Sequence, residues 1–113
     1  MVKEYQPHRG DIVMMTFNPQ TGKEQAGYRP ALVLTSKTYN SLVGLMLCCP
    51  ITSKKKGYAF EVELPQTLLI QGVILTDHVK SLDFHERKIK FVEKVPKEIL
   101  DNVIANINVL LNE

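Results

Sequence analysis

The spacing of apolar residues changes period once along this chain, and that change limits the folds open to it. Up to Val95 the apolar residues fall in short runs of strand length. After Pro96 they recur at three- and four-residue spacing (Ile99, Leu100, Val103, Ile104, Ile107, Leu110, Leu111). That is the stripe of an amphipathic helix of about four turns. Pro96 suits a helix start, and Glu98 and Asp101 suit the positive end of a helix dipole. Upstream, strands are expected over residues 11–17, 29–35, 43–51, 59–64, 72–82 and 88–95, with a short helical turn or loop at 36–41. The run at 43–51 is continuously apolar, as a strand buried on both faces would be, whereas 59–64 alternates. A chain of 113 residues fits one domain, taken as 1–113. The expected fold class is mainly β with short helices: a small, strongly bent sheet or barrel with the C-terminal helix packed on it.

Composition matters less than its distribution. Hydrophobic residues at 44% and charged residues at 23% describe an ordinary globular protein and exclude global disorder. The net charge of +2 does not by itself announce a nucleic-acid binder. Residues 20–57, however, carry six basic side chains (Lys23, Arg29, Lys37, Lys54, Lys55, Lys56) and one acid, Glu24. Residues 58–113 carry six basic and nine acidic ones. Such a split predicts a positive face. The opening residues lack the apolar centre of a signal peptide, and the longest strongly apolar run, 42–49, is far short of the ~20 residues of a membrane helix. The cytoplasm is the expected compartment. Cys48 and Cys49 are neighbours on a strand, pointing to opposite faces, with no CxxC motif and no His at ligand spacing. They read as reduced structural thiols, and neither a metal nor a cofactor is expected.

No P-loop, GxGxxG, GxSxG or HExxH motif is present. The chemistry-bearing candidates lie in two loops. Glu24 stands five residues before Arg29 in a Gly-containing loop. There an arginine can bind a phosphate bidentately, and Gly27 lets a backbone approach. Thr52, at a strand end, offers a hydroxyl to the same phosphate, and Lys54, Lys55 and Lys56 add a field that tracks a polyanion. The plainer alternatives stay open at this level: a Glu24–Arg29 ion pair pinning a hairpin, and a solvated lysine turn. His8, His78 and His85 are scattered, form no acid–base pair, and read as structural or surface residues.

Four segments carry a resemblance. They are Gly10-Asp11-Ile12-Val13; residues 22–34, with Glu24-Gln25-Ala26-Gly27-Tyr28-Arg29-Pro30 at their centre; Cys49-Pro50-Ile51-Thr52-Ser53 with Lys56-Gly57-Tyr58; and Asp77-His78-Val79-Lys80-Ser81. In order, and over nearly the whole chain, they closely resemble the MazF/PemK family of toxin endoribonucleases. The resemblance implies an SH3-like small barrel, shared with the gyrase poison CcdB, and a homodimer. It implies sequence-specific cleavage of single-stranded RNA without metal, cofactor or ribosome, and inhibition by a cognate acidic antitoxin, through which alone DNA is contacted. Arg29 and Thr52 match the family's catalytic pair, and Glu24 an acid tied to activity in some members. Gln25, Ser53, Lys54, Lys55, Lys56, Asp77, His78 and Lys80 fall where the RNA would run. The implied reaction is attack of the RNA's own 2′-hydroxyl on the adjacent phosphate, which leaves a cyclic phosphate and a 5′-hydroxyl.

Two positions depart from the family pattern. His78 stands where Gln is usual, and Ala59 where Pro is more common, which should loosen the preceding loop. The alternative function on the same fold is a non-nucleolytic, CcdB-like gyrase poison. That activity is associated with a C-terminal Trp, which this chain lacks. The apolar stripe of the C-terminal helix is wider than a small barrel needs, so the expected dimer interface mixes strand residues with this helix.

Overall fold

The computed structural model describes residues 4–18, 22–23 and 25–112. Among the described residues, seven antiparallel strands and two α-helices follow in the order β1 (Asp11–Thr16), β2 (Tyr28–Val33), α1 (Lys37–Val43), β3 (Leu45–Thr52), β4 (Glu61–Glu63), β5 (Val73–Leu75), β6 (Lys80–Asp83), β7 (Lys90–Lys94) and α2 (Lys97–Asn112). The sheet runs β4-β5-β3-β2-β1-β7, with β6 also paired to β3. Among the described residues it curls without closing, because β4 and β7 are the two ends of that path.

The strand expected over 72–82 is divided. β5 pairs with the end of β3 (Thr52 opposite Val73) and β6 with its beginning (Leu45 opposite Asp83). Between them the chain makes one 3-10 turn at Thr76–His78. β3 thus changes partner along one edge, and Asp77 and His78 stand at the changeover, outside both ladders. The short helix at 36–41 forms as α1, with the Ser36 hydroxyl accepting the Tyr39 N–H at 3.2 Å.

Alternation sorts the core into two clusters. Ile12, Leu32, Cys49 and Ile51 join Ile74 and Val103 on one face, where α2 adds Ile99, Leu100 and Ile107. Val13, Ala31, Val33, Met46 and Cys48 join Phe17 and Phe84 on the other. Register explains the pairing: Leu32 lies opposite Cys49, and Val33 opposite Cys48. With both faces covered, β1, β2 and β3 read as continuous apolar runs. The adjacent cysteines do separate to opposite faces. Both are buried and free, and burial pushes the Cys48 thiol up to about 12 and the Cys49 thiol above the ordinary range.

Candidate active site

β2 and β3 bring the site together. Their ladder sets Val33 opposite Cys48, Leu32 opposite Cys49 and Ala31 opposite Pro50. Two residues beyond the last of these pairs come Arg29 on β2 and Thr52 on β3, both on the side of the strands that carries Ala31 and Pro50. Residues 23 apart in sequence come to line one pocket because α1 returns the chain from β2 into β3. The Arg29 Nε donates to the Ala26 carbonyl at 2.7 Å, which ties the side chain to its own loop and leaves the terminal guanidinium nitrogens for a ligand. Thr52 is nearly buried, and its Oγ1 accepts the Lys54 N–H at 3.2 Å.

Arg29 and Thr52 line a pocket of about 540 Å³ together with Gln25, Ser53, Lys54, Lys56 and His78. An adjoining recess of about 350 Å³ shares Lys23 and His78 with it and is completed by Asp77, Val79 and Lys80. Lys55 stands apart: it lines neither space, and its Nζ pairs with Glu63 at 2.8 Å. Glu24 lies outside the described residues. The main pocket has four cationic side chains (Lys23, Arg29, Lys54, Lys56) against one acid, Glu61, among the described residues. Its field suits a phosphodiester backbone.

Four residues that shape this site are not among the candidate site residues of the sequence. Lys23 enters as a counted charge and as part of the 22–34 segment, with no role assigned, yet it walls both spaces. Tyr58 lines the pocket and donates its hydroxyl to Asp77 Oδ1 at 2.9 Å, joining the lysine loop to the 3-10 turn. Burial, with the Asp77 carboxylate, pushes the phenol up to about 12, so it is a donor at neutral pH. Glu61 accepts the Lys56 N–H at 3.0 Å on one oxygen and the Gly57 N–H at 2.8 Å on the other. Desolvation pushes its carboxyl up, but these backbone bonds and the nearby Lys55 charge outweigh it and hold the pKa below the ordinary value. Gly72 has φ +120°, and a Cβ there would lie 2.2 Å from the Thr52 carbonyl oxygen. Only glycine allows β5 to enter so close to the threonine. A Gly within an apolar run is the one signal the sequence offers for it.

Fold and site together define a class: a small curled β protein whose cationic pocket is lined by an arginine and a threonine from adjacent strands, suited to gripping a phosphate chain. The chain belongs to the family of PemK-like, MazF-like toxins of type II toxin-antitoxin systems, which it matches over residues 8–111. It is 43% identical over 111 residues to the endoribonuclease toxin MazF of Escherichia coli strain K12, covering 98% of this chain and 99% of that one. The crystal structure of MazF from Deinococcus radiodurans superposes with a TM-score of 0.94 at 44% identity, over 97% of this chain and 100% of that one. A MazE-MazF structure from the same organism superposes with a TM-score of 0.85 at 41% identity, over 96% and 97% of the two chains. No described helix is long and apolar enough to cross a membrane.

Proposed function

We propose that this protein is an endoribonuclease toxin, an mRNA interferase that cuts single-stranded RNA and is silenced by a cognate antitoxin. The observation that supports it most is the cationic pocket that Arg29 of β2 and Thr52 of β3 line together. In this reading the RNA's 2′-oxygen bonds to the adjacent phosphorus while the bond to the 5′-oxygen breaks. The 2′-hydroxyl loses its proton, the leaving oxygen gains one, and the products are a 2′,3′-cyclic phosphate and a 5′-hydroxyl. The nucleophile belongs to the substrate, so the protein's task is to stabilise charge on a pentacoordinate phosphorus. Arg29 supplies charge and a proton donor, and the Thr52 hydroxyl donates to a non-bridging oxygen. Lys54 and Lys56 hold the flanking phosphates. Gln25, Ser53, Asp77, His78 and Lys80 extend the path into the adjoining recess, and Lys55 acts from outside the pocket. Glu24 contributes from the loop before Arg29, whereas Glu61, with a depressed pKa and both oxygens engaged, is a poor base.

Residues 1–113 act as one toxin domain, in the cytoplasm and as a homodimer. Val109, Leu110 and Leu111 of α2, all exposed in the single chain, supply part of its interface. The antitoxin is an acidic, partly disordered chain whose carboxylates compete for the phosphate positions. A gyrase-poison role is not favoured, since the E. coli relative is named an endoribonuclease, and it would leave the Arg29–Thr52 pair without a task. Incubation with a long single-stranded RNA in EDTA tests this. Discrete fragments with 5′-hydroxyl ends are expected from the native protein and none from Arg29→Ala. Intact RNA after incubation with a well-folded native sample would reject the proposal.

A further inference from the structure

Glu61 poses an electrostatic problem. It is the one acid among the described residues lining a pocket that otherwise presents Lys23, Arg29, Lys54 and Lys56, and a bare carboxylate there would repel a phosphate. It is not bare. One oxygen takes the Lys56 N–H and the other the Gly57 N–H. Residues 53–60 contain no strand or helix, so their backbone donors have no ladder to satisfy them, and their path depends on such side-chain acceptors. Two residues along β4, on the same side of the strand, Glu63 holds Lys55 Nζ at 2.8 Å. The intervening Val62 faces the core under α2. Thr52 anchors the start of the loop through Lys54 N–H, and the Glu61 N–H closes its end on the Tyr58 carbonyl at 3.1 Å. β4 is therefore a rack of two carboxylates against which the lysine loop is laid.

We propose that Glu61 is a positioning residue for RNA: it latches the turn at Lys56-Gly57 so that Lys54 and Lys56 face the pocket. This rests on the endoribonuclease reading. It has a sign opposite to simple electrostatics, which predicts tighter RNA binding when the carboxylate is removed.

The test compares the full chain with Glu61→Gln, which keeps shape but offers a single acceptor oxygen, and with Gly57→Ala. The second variant strains the same turn at φ +85° while its Cβ meets nothing within 4 Å. The probe is an RNA segment cut by the native protein; for binding it carries a 2′-deoxy substitution at the cut. Both variants are expected to raise KM roughly ten-fold with kcat within about two-fold. The slope of log affinity against log salt should flatten by about 0.7 for each lysine that no longer reaches a phosphate. Amide exchange at Lys56 and Gly57, followed by NMR without RNA, should accelerate in Glu61→Gln. Unchanged or tighter binding with an unchanged salt slope overturns the latch, as does a loss confined to kcat. If the native protein cuts no RNA, the functional reading fails, and amide exchange alone still decides whether the carboxylate holds the loop.

Discussion

At one end of the sheet, beside β1 and β7, the Asp11 carboxylate is 1% exposed. It accepts the Tyr5 hydroxyl, the His8 N–H at 3.0 Å and the Lys94 ammonium at 2.6 Å. At the other end, beside β4, the Glu61 carboxylate accepts two backbone N–H groups at the edge of an open pocket. Both acids gather donors from a segment without regular structure and so fix its path. They differ in surroundings. Asp11 is sealed under the N-terminal arm, which Asn40 also holds by donating to the Pro7 carbonyl at 2.9 Å, so its loss would untie that arm from a buried anchor. Glu61 stands where water can replace it, so its loss would cost order in the loop rather than the fold. An identical hydrogen-bonding device thus serves stability in one place and positioning in the other, and burial decides which.

The largest effect should come from the functional end. Arg29→Ala is expected to lower cleavage by at least about a thousand-fold while thermal melting stays near that of the native chain. A large drop in melting temperature would show that pocket residues also carry the fold, and would dissolve the contrast. Gly72→Ala tests whether backbone approach positions Thr52. The 2.2 Å clash with the Thr52 carbonyl should cost about 2–3 kcal/mol, read by urea unfolding, and lower cleavage at temperatures where the variant stays folded. Asp11→Ala should destabilise by about 2 kcal/mol, since it removes the hydrogen bonds that the Tyr5 hydroxyl and the His8 N–H give a buried carboxylate; the exposed Lys94 adds little. Its cleavage rate in the cold should match the native one.

Acid sharpens the comparison further. The Glu61 pKa is held below the ordinary 4.5. Its contribution is therefore complete above about 4.5 and is lost only as pH falls through the lower folded value. The Gly57 amide resonance should stay flat from about pH 8 to 5 and move below about 4.5. The smallest effect concerns the cysteines. With their thiols raised by burial, alkylation at about pH 8 should be slowed at least roughly a hundred-fold relative to the unfolded chain, and RNA cleavage should survive the treatment.

Much of this is legible from the residues. The helical stripe from Ile99 to Leu111 forms as α2, and the apolar runs form β1, β2 and β3, because periodicity records which sides are buried. The motif around Arg29 and Thr52 coincides with the main pocket. Gln25, Ser53, Lys54 and Lys56 line it with that pair, while Asp77 and Lys80 fall in the neighbouring recess beside His78. Lys55 shows the limit. In sequence it is indistinguishable from Lys54 and Lys56, yet it turns to Glu63. The strand expected over 72–82 is two, since nothing local says that β3 would change partner beside it.

The sequence alone, then, determined the residue types and periods: a β-rich chain, one terminal helix, an arginine and a threonine among lysines, and cysteines that must part to opposite faces. The tertiary structure decided the pairings. Arg29 and Thr52 reach one pocket because the core residues beyond them pair β2 with β3, and Gly72 becomes indispensable only because β5 arrives beside Thr52. Glu61 changes from one of nine acids in residues 58–113 into the holder of the lysine loop because β4 runs alongside it. Burial patterns are written residue by residue, whereas register and strand neighbours are long-range choices settled by the packing of the whole sheet.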